Sequence, residues 1–338
     1  MRSKLAWKRI TFFTVLALGC VLLATFLVSR PFFQFVPKSH PKKTPDYIYH
    51  FAVITPESDS FYWRSFERGA YSYARQNHIV LEFRSPRFTN IKEEEHFLEF
   101  AVLSKVDGIV TSVPEEEGFL PLIKQASDWG IPVVTLDSIA NPPSKYTNYV
   151  GYDPFEFGVR AGEALRKACN GQAKIAVLIG PTRTSNSCHK ILQGLSSFLN
   201  RYPSMQISLV LGSENGMISA EEQTYNILMN HPEIDTILCT NAEDTEGATQ
   251  VVIDLNQVNS MTIIGSGLTP EIARYIRRNV IYGTLSVDPA GVGSRAIATL
   301  QGLKEDLPMA IRTDISFIDA ENLDTFVKDY MLSGTGAP

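Results

Sequence analysis

From residue 47 to residue 318, short β-branched and aromatic runs alternate with amphipathic stretches, and that alternation leaves few folds open. The runs are YIYHFAVIT (47–55), IVLEF (79–83), DGIVTS (107–112), PVVTLD (132–137), YVGYD (149–153), KIAVLIG (174–180), QISLVLG (206–212), TILCTN (236–241), MTIIGSG (261–267), IYGTLS (281–286) and RTDISFI (312–318). Between them the apolar spacing predicts helices. The first carries Phe66, Ala70, Tyr73 and Ala74 on its inner face, and the second, over 92–103, turns Phe97, Phe100 and Ala101 inward. Strands joined through helices need long crossovers, which make parallel sheets. So many strands exceed one comfortable sheet, and the expectation is α/β, with two doubly wound parallel-sheet lobes and a ligand cleft between them. In such sheets ligands sit beyond the carboxyl ends of the strands, so the strand-to-helix loops are where chemistry is to be sought.

The charge is unevenly spread. Residues 1–45 hold eight bases (Arg2, Lys4, Lys8, Arg9, Arg30, Lys38, Lys42, Lys43) and no acid, which leaves 23 bases against 36 acids in the rest. A body that acidic repels phosphate backbones, so nucleic acid is excluded as a partner. The basic flank belongs with Ile10–Ser29, twenty residues without a charge, which as a helix reach about 30 Å, the thickness of a bilayer core. The run continues to Val28 before Arg30 and Pro31, longer than a signal peptide's apolar region, and reads as a transmembrane signal anchor over 10–29. Arg2, Lys4, Lys8 and Arg9 keep residues 1–9 cytoplasmic and put the body outside the cell membrane. Cys20, preceded by Ala17-Leu18-Gly19, leaves lipidation and cleavage open as the alternative. Residues 30–46, with Pro31, Pro37, Pro41 and Pro45, read as an extended linker.

No enzyme signature is present. The chain has no GxSxG, HExxH or Walker loop, and Gly265-Ser266-Gly267 lacks the third glycine of a dinucleotide fingerprint. Glu93, Glu94, Glu95, His96 and Glu99 read as a solvated helix face rather than metal ligands. Cys169, Cys188 and Cys239 have no metal-ligand spacing and read as free thiols, with a Cys169–Cys188 bridge as the alternative outside the cell. The expectation is a protein without catalytic residues, metal or cofactor.

Five pieces, in this order and spacing, carry a resemblance: Phe61-Tyr62-Trp63 with Gly69-Ala70 following, PVVTLD (132–137), YVGYDPFEFGVRAGEAL (149–165), TNAEDTEGA (240–248) and GTLSVDPAGVG (283–293). Over about residues 48–320 the chain resembles the type I periplasmic binding proteins of the ribose and galactose group, whose fold is shared with the ligand-binding core of LacI-type repressors. A repressor needs a basic helix-turn-helix head, and here an apolar span stands in that place. The resemblance implies three crossings between lobes, with 48–153 plus 288–311 in one and 154–287 plus 312–330 in the other. The hinge would lie at Asp153, Pro154 and Val287.

It also implies a pocket in which rings sandwich a sugar while polar groups read its hydroxyls. Tyr62 and Trp63 match the family's aromatic pair, Ser60 the polar position before it, Asp137 the acid after a strand, and Asn241 the amide ending another. Plainer readings stand beside these: core packing for Tyr62 and Trp63, a turn for Asp137, and helix caps for Asn241 and Asp153. The chain also departs from the ribose pattern. Ile191, with His189 and Lys190 nearby, stands where an Arg is usual, Gly267 where an Asp is, and Val287 where a Gln is. Lys190 and Asp288 are therefore added as ligand-binding candidates. Together these features imply a membrane-tethered receptor that binds a small polar solute, a carbohydrate or polyol, and offers its closed form to an ABC permease or a sensor histidine kinase. An interaction scaffold with a vestigial pocket is the alternative.

Overall fold

β-Branched and aliphatic runs such as Val133–Leu136 and Thr236–Cys239 are buried along their whole length, which suits strands covered on both faces by helices. In the computed structural model, residues 47–58, 60–113, 118–136, 147–180, 185–213, 216–305 and 313–332 are described. The chain divides into two units, Met1–Asp46 and Tyr47–Pro338, and all the described residues belong to the second. The expected span over 10–29, Cys20, the Pro-rich linker and Asp137 lie outside the described residues. Among those described, no helix is long and apolar enough to cross a membrane.

The first lobe opens with β1 (Tyr49–Ile54), α1 (Phe61–Gln76), β2 (Ile79–Arg84), α2 (Ile91–Leu103), β3 (Gly108–Ser112), α3 (Phe119–Asp128), β4 (Val133–Leu136) and β5 (Thr147–Val150). Its five strands are parallel in the order β2-β1-β3-β4-β5. The second lobe runs through α4 (Pro154–Ala168), β6 (Ala173–Ile179), α5 (Ser185–Leu199), β7 (Met205–Gly212), α6 (Met217–Asn230), β8 (Thr236–Cys239), α7 (Ala242–Asp254), β9 (Thr262–Ser266), α8 (Pro270–Arg277) and β10 (Gly283–Ser286). Its six-stranded sheet has the order β11-β10-β9-β8-β6-β7, parallel except for β11 (Ser316–Asp319), which runs antiparallel to β10. Between β10 and β11 comes α9 (Pro289–Lys304).

Alternate residues of each strand point to opposite faces and into separate cores. On β1, Phe51 and Val53 meet Phe66 of α1 and Ile297 of α9, whereas Ala52 and Ile54 meet Leu98 of α2 and Phe119 of α3. In the second sheet Val177 faces Leu165 and Leu195, and Leu178 faces Ala248 and Ile272. Helix α9 thus follows the second sheet in sequence yet covers the first. It lies flush on α1 because both helices present glycine: a Cβ at Gly293 would stand 2.1 Å from the Phe66 carbonyl oxygen, and one at Gly69 1.9 Å from that of Ala290.

Two details of α2 correct the sequence reading. Phe100 points outward, half exposed, with the Arg84 guanidinium 5.6 Å from its ring centroid. The buried face is instead Glu94, Leu98, Ala101 and Val102, spaced three and four apart, and Phe100 falls off that stripe. Glu94 is fully buried rather than solvated, and its carboxylate accepts from Ser112 Oγ at 2.9 Å. A buried carboxylate needs such donors, which β3 supplies. Cys169, Cys188 and Cys239 are not disulfide-bonded, so the bridge does not form.

Candidate ligand-binding cleft

Each parallel strand delivers the chain at its carboxyl end into a loop and then a helix N-terminus, and here the two sheets bring these ends around one cavity of about 780 Å³. Pro56 and Glu57 follow β1, Ser112 ends β3 and Val113 follows it, and Leu136 ends β4. From the other side come Ile179 and Gly180, Thr240 and Asn241, Ser266 and Gly267, and Ser286 and Val287, at the ends of β6, β8, β9 and β10.

The first-lobe wall is aromatic. Ser60 caps α1, its Oγ accepting from Trp63 N at 3.3 Å, and this starts the helix so that Phe61, Tyr62 and Trp63 all line the cavity. Tyr62 meets Trp63 edge-on at 4.9 Å between centroids, and Trp63 meets Phe66 at 5.5 Å. The two readings of this pair merge: both rings pack on the core, and both stay half-buried at the cavity. Tyr152 and Phe157, 5.5 Å apart, add rings at the chain's first passage between sheets.

The second-lobe wall is polar. Asn241 caps α7, its Oδ1 accepting from Asp244 N at 2.7 Å while its Nδ2 donates to Asp244 Oδ2 at 2.9 Å. It both caps a helix and lines the cavity. Its amide fills the space a side chain at Gly180 would need, a Cβ there standing 1.7 Å from Nδ2. Asp244 is fully buried and also bonded to Ser213 Oγ. Burial pushes its carboxyl up to about 7, with Glu243 adding to the rise and the bonds from Ser213 and Asn241 opposing it. Glu243 and Glu246 line the same wall, and desolvation holds both above the usual carboxylate range, with Glu57 and Glu246 also acting on Glu243. Thr269 Oγ1 donates to Glu246 Oε1.

Of the candidates from sequence, Ser60, Tyr62, Trp63, Asn241 and Val287 line the cavity. Lys190 lies half-buried on α5 and is not among the lining residues, where its neighbours Ser187, Cys188 and Ile191 stand. Asp288 is also outside the lining: its Oδ1 accepts from Ala290 N at 3.1 Å and caps α9. Asp153 does the same for α4, accepting from Phe155 N at 2.9 Å, with Pro154 as the first helical residue. The two helices that begin as the chain passes between sheets therefore share one Asp-Pro start. A third passage runs beside the first, where Thr313 N donates to the Gly151 carbonyl at 3.1 Å. Gly267, where the family's acid was expected, has a φ of 82°, a left-handed backbone that disfavours any side chain there. Sequence reasoning missed Phe61, Ser112, Tyr152 and Thr269 on the lining. All four sit at or just past strand ends, where the strand-end rule marks a loop, but residue type did not single them out within it.

The comparisons agree with this architecture. Residues 51–306 match the model of the periplasmic binding protein domain. The ABC transporter periplasmic-binding protein YphF of Escherichia coli (strain K12) is 27% identical over 220 residues, 62% of this chain and 66% of that protein, so the chain spans just under two thirds of it. The crystal structure of GanP, a glucose-galactose binding protein from Geobacillus stearothermophilus, superposes with a TM-score of 0.76 at 31% identity, covering 81% of this chain and 98% of that one. The XylFII–LytSN complex gives a TM-score of 0.74 at 26% identity, with 80% and 98% covered. Such proteins bind solutes and are not enzymes, and the chain belongs to the periplasmic binding protein family.

Proposed function

We propose that the chain is a membrane-tethered extracytoplasmic receptor for a monosaccharide or related polyol, which enters the cleft and stabilises the closed arrangement of the lobes. The observation that carries this reading is the pairing of walls: rings at Tyr62 and Trp63 on one side and hydrogen-bonding groups at Asn241, Thr240 and Ser266 on the other. Rings cover the apolar faces of a sugar, and the polar groups discriminate because an unpaired buried donor costs about 1–3 kcal/mol. Relatives whose names specify D-ribose/D-allose and glucose-galactose binding support the class of ligand. Closure turns the lobes about the Asp153-Pro154 and Val287-Asp288 passages, and the ligand shifts that equilibrium by its preference for the closed form.

The apolar run at Ile10–Ser29 anchors the receptor, and the linker keeps it near a membrane partner at high effective concentration. That partner is an ABC permease or a sensor histidine kinase, each of which would read the outer surface that closure changes. A relative solved in complex with LytSN, and another named for an ABC transporter, support such a partner. The test is thermal unfolding of the chain with D-ribose, D-allose, D-xylose, D-arabinose, D-galactose and D-glucose in turn. A sugar at 100 times its Kd adds about 2.7 kcal/mol and raises Tm by a few degrees. A folded chain whose Tm no sugar moves would be an interaction scaffold instead.

A further inference from the structure

Asn241 offers the cavity one N–H and one carbonyl lone pair, and which faces where depends on what holds the other half of the amide. Asp244 holds both ends of it: its backbone N–H donates to Oδ1 at 2.7 Å, and its carboxylate Oδ2 accepts from Nδ2 at 2.9 Å. A flipped amide would set NH2 against N–H and carbonyl against carboxylate. Asp244 is itself pinned by Ser213 Oγ, which lies 3.1 Å from the Ile179 carbonyl oxygen. We propose that Asp244 is the positioning residue of this cleft, fixing which way the Asn241 amide faces the ligand and making that contact depend on the charge behind it. The proposal rests on the sugar-binding reading above.

Both carboxyl oxygens of Asp244 keep a partner in either charge state. Ionised, the carboxylate accepts from Asn241 and from the one Ser213 hydroxyl proton, and the Ile179 carbonyl is left to Ser213 N. Neutral, it donates to Ser213 Oγ, whose hydroxyl turns to donate to the Ile179 carbonyl, and it still accepts from Asn241. Among the described residues, the titratable groups facing Asp244 are Glu243 on its own helix and the Cys239 thiol at the end of β8. Glu243 disfavours its charge, the thiol is itself pushed well up by burial and by Asp244 and so stays neutral, and no lysine, arginine or histidine offsets Glu243. The carboxyl therefore changes state near neutral pH, where an ordinary aspartate is fully ionised. A hydrogen bond to the ionised form is about twice as strong as one to the neutral form, so the amide is held harder at higher pH.

Two measurements test this. The first is the side-chain amide resonance of Asn241 in the 15N-asparagine-labelled full chain, assigned by its loss in Asn241→Ala and followed from about pH 5.5 to about pH 8.5. It should move with a midpoint near 7, and in Asp244→Asn it should be flat. A resonance insensitive to pH, or equally sensitive in both chains, overturns the proposal whether or not any sugar binds. The second is calorimetric affinity for the same six sugars. For a sugar that binds, affinity should rise about fivefold across that range, and Asp244→Asn should lose the rise. Asp244→Ala, which removes the acceptor, should weaken binding about tenfold. Equal pH profiles in the wild type and Asp244→Asn overturn the proposal. If no sugar binds, the sugar reading fails, and the resonance alone decides the role of Asp244.

Discussion

On the first-lobe wall of the cleft, rings rest on rings, Tyr62 on Trp63 and Trp63 on Phe66, and the stack continues into the core around Phe51. On the second-lobe wall, Asn241 and Ser266 rest on a buried polar chain that ends at Asp244 and Thr245. Thr240 Oγ1 accepts from Gly180 N at 3.2 Å, and Thr245 Oγ1 accepts from Ser266 N at 2.9 Å. One wall is fixed by close packing and the other by hydrogen bonds, so they should fail differently. A ring wall is nearly indifferent to pH, whereas a hydrogen-bonded wall with a carboxyl behind it is not. Each lobe also places a fully buried acid in the first turns of a helix to hold a group lining the cleft, Glu94 on Ser112 and Asp244 on Asn241.

The largest expected effect falls on the polar wall. Asp244 protonates near 3.8 in the unfolded chain and near 7 in the folded one, so between those values the folded chain holds a proton that the unfolded chain has released. Its contribution to stability is complete below the unfolded value and is lost as pH rises through the folded one, up to about 4 kcal/mol in all. Urea unfolding of wild type and Asp244→Asn should therefore diverge across that window, and parallel curves would remove Asp244 as the titrating group. Next in size is the ring wall. Trp63→Ala should weaken binding of any sugar from the panel by about 2 kcal/mol, some thirtyfold, and Trp63→Phe by less. Calorimetry checks both, and an unchanged Kd in Trp63→Ala would take that wall out of the binding site. The smallest effect should come from Ser112→Ala, which deprives Glu94 of one donor and should cost about 1 kcal/mol in urea unfolding.

Strands such as β3, β4 and β8 were legible because their apolar runs are fully buried, and the ring pair because it begins a helix just after a strand end. Asn241 was legible as the last residue of such a run. Asp244 was not, since an acid in the first turn of a helix ordinarily complements the dipole in water, and nothing local says that Ser213 comes from another strand to bury it. Phe100 and Glu94 exchanged places for a similar reason. Residue type argued for Phe100 inside, whereas helical spacing from Leu98, Ala101 and Val102 chose Glu94, and β3 supplied its hydroxyl partner. For Asp288 the structure adds the cap on α9, a role that the Asp-Pro pair before a helix already signals.

The path of α9 sets the order in which the molecule can be finished. Chain leaving a ribosome or a translocon supplies β1 to β5 early, but the helix that covers Phe51, Val53, Val110 and Val134 begins only at Pro289. Throughout that interval α1 alone covers that face of the first sheet, and the part over β3, β4 and β5 waits for α9 while the second lobe is synthesised. The lobe that starts first stays open until all of the second sheet but its last strand has been made. Because Gly69 and Gly293 let the two backbones meet without side chains between them, the final docking must bring α9 to rest in one register on α1. A holdase that shields exposed apolar surface would find its longest-lived target on this chain there.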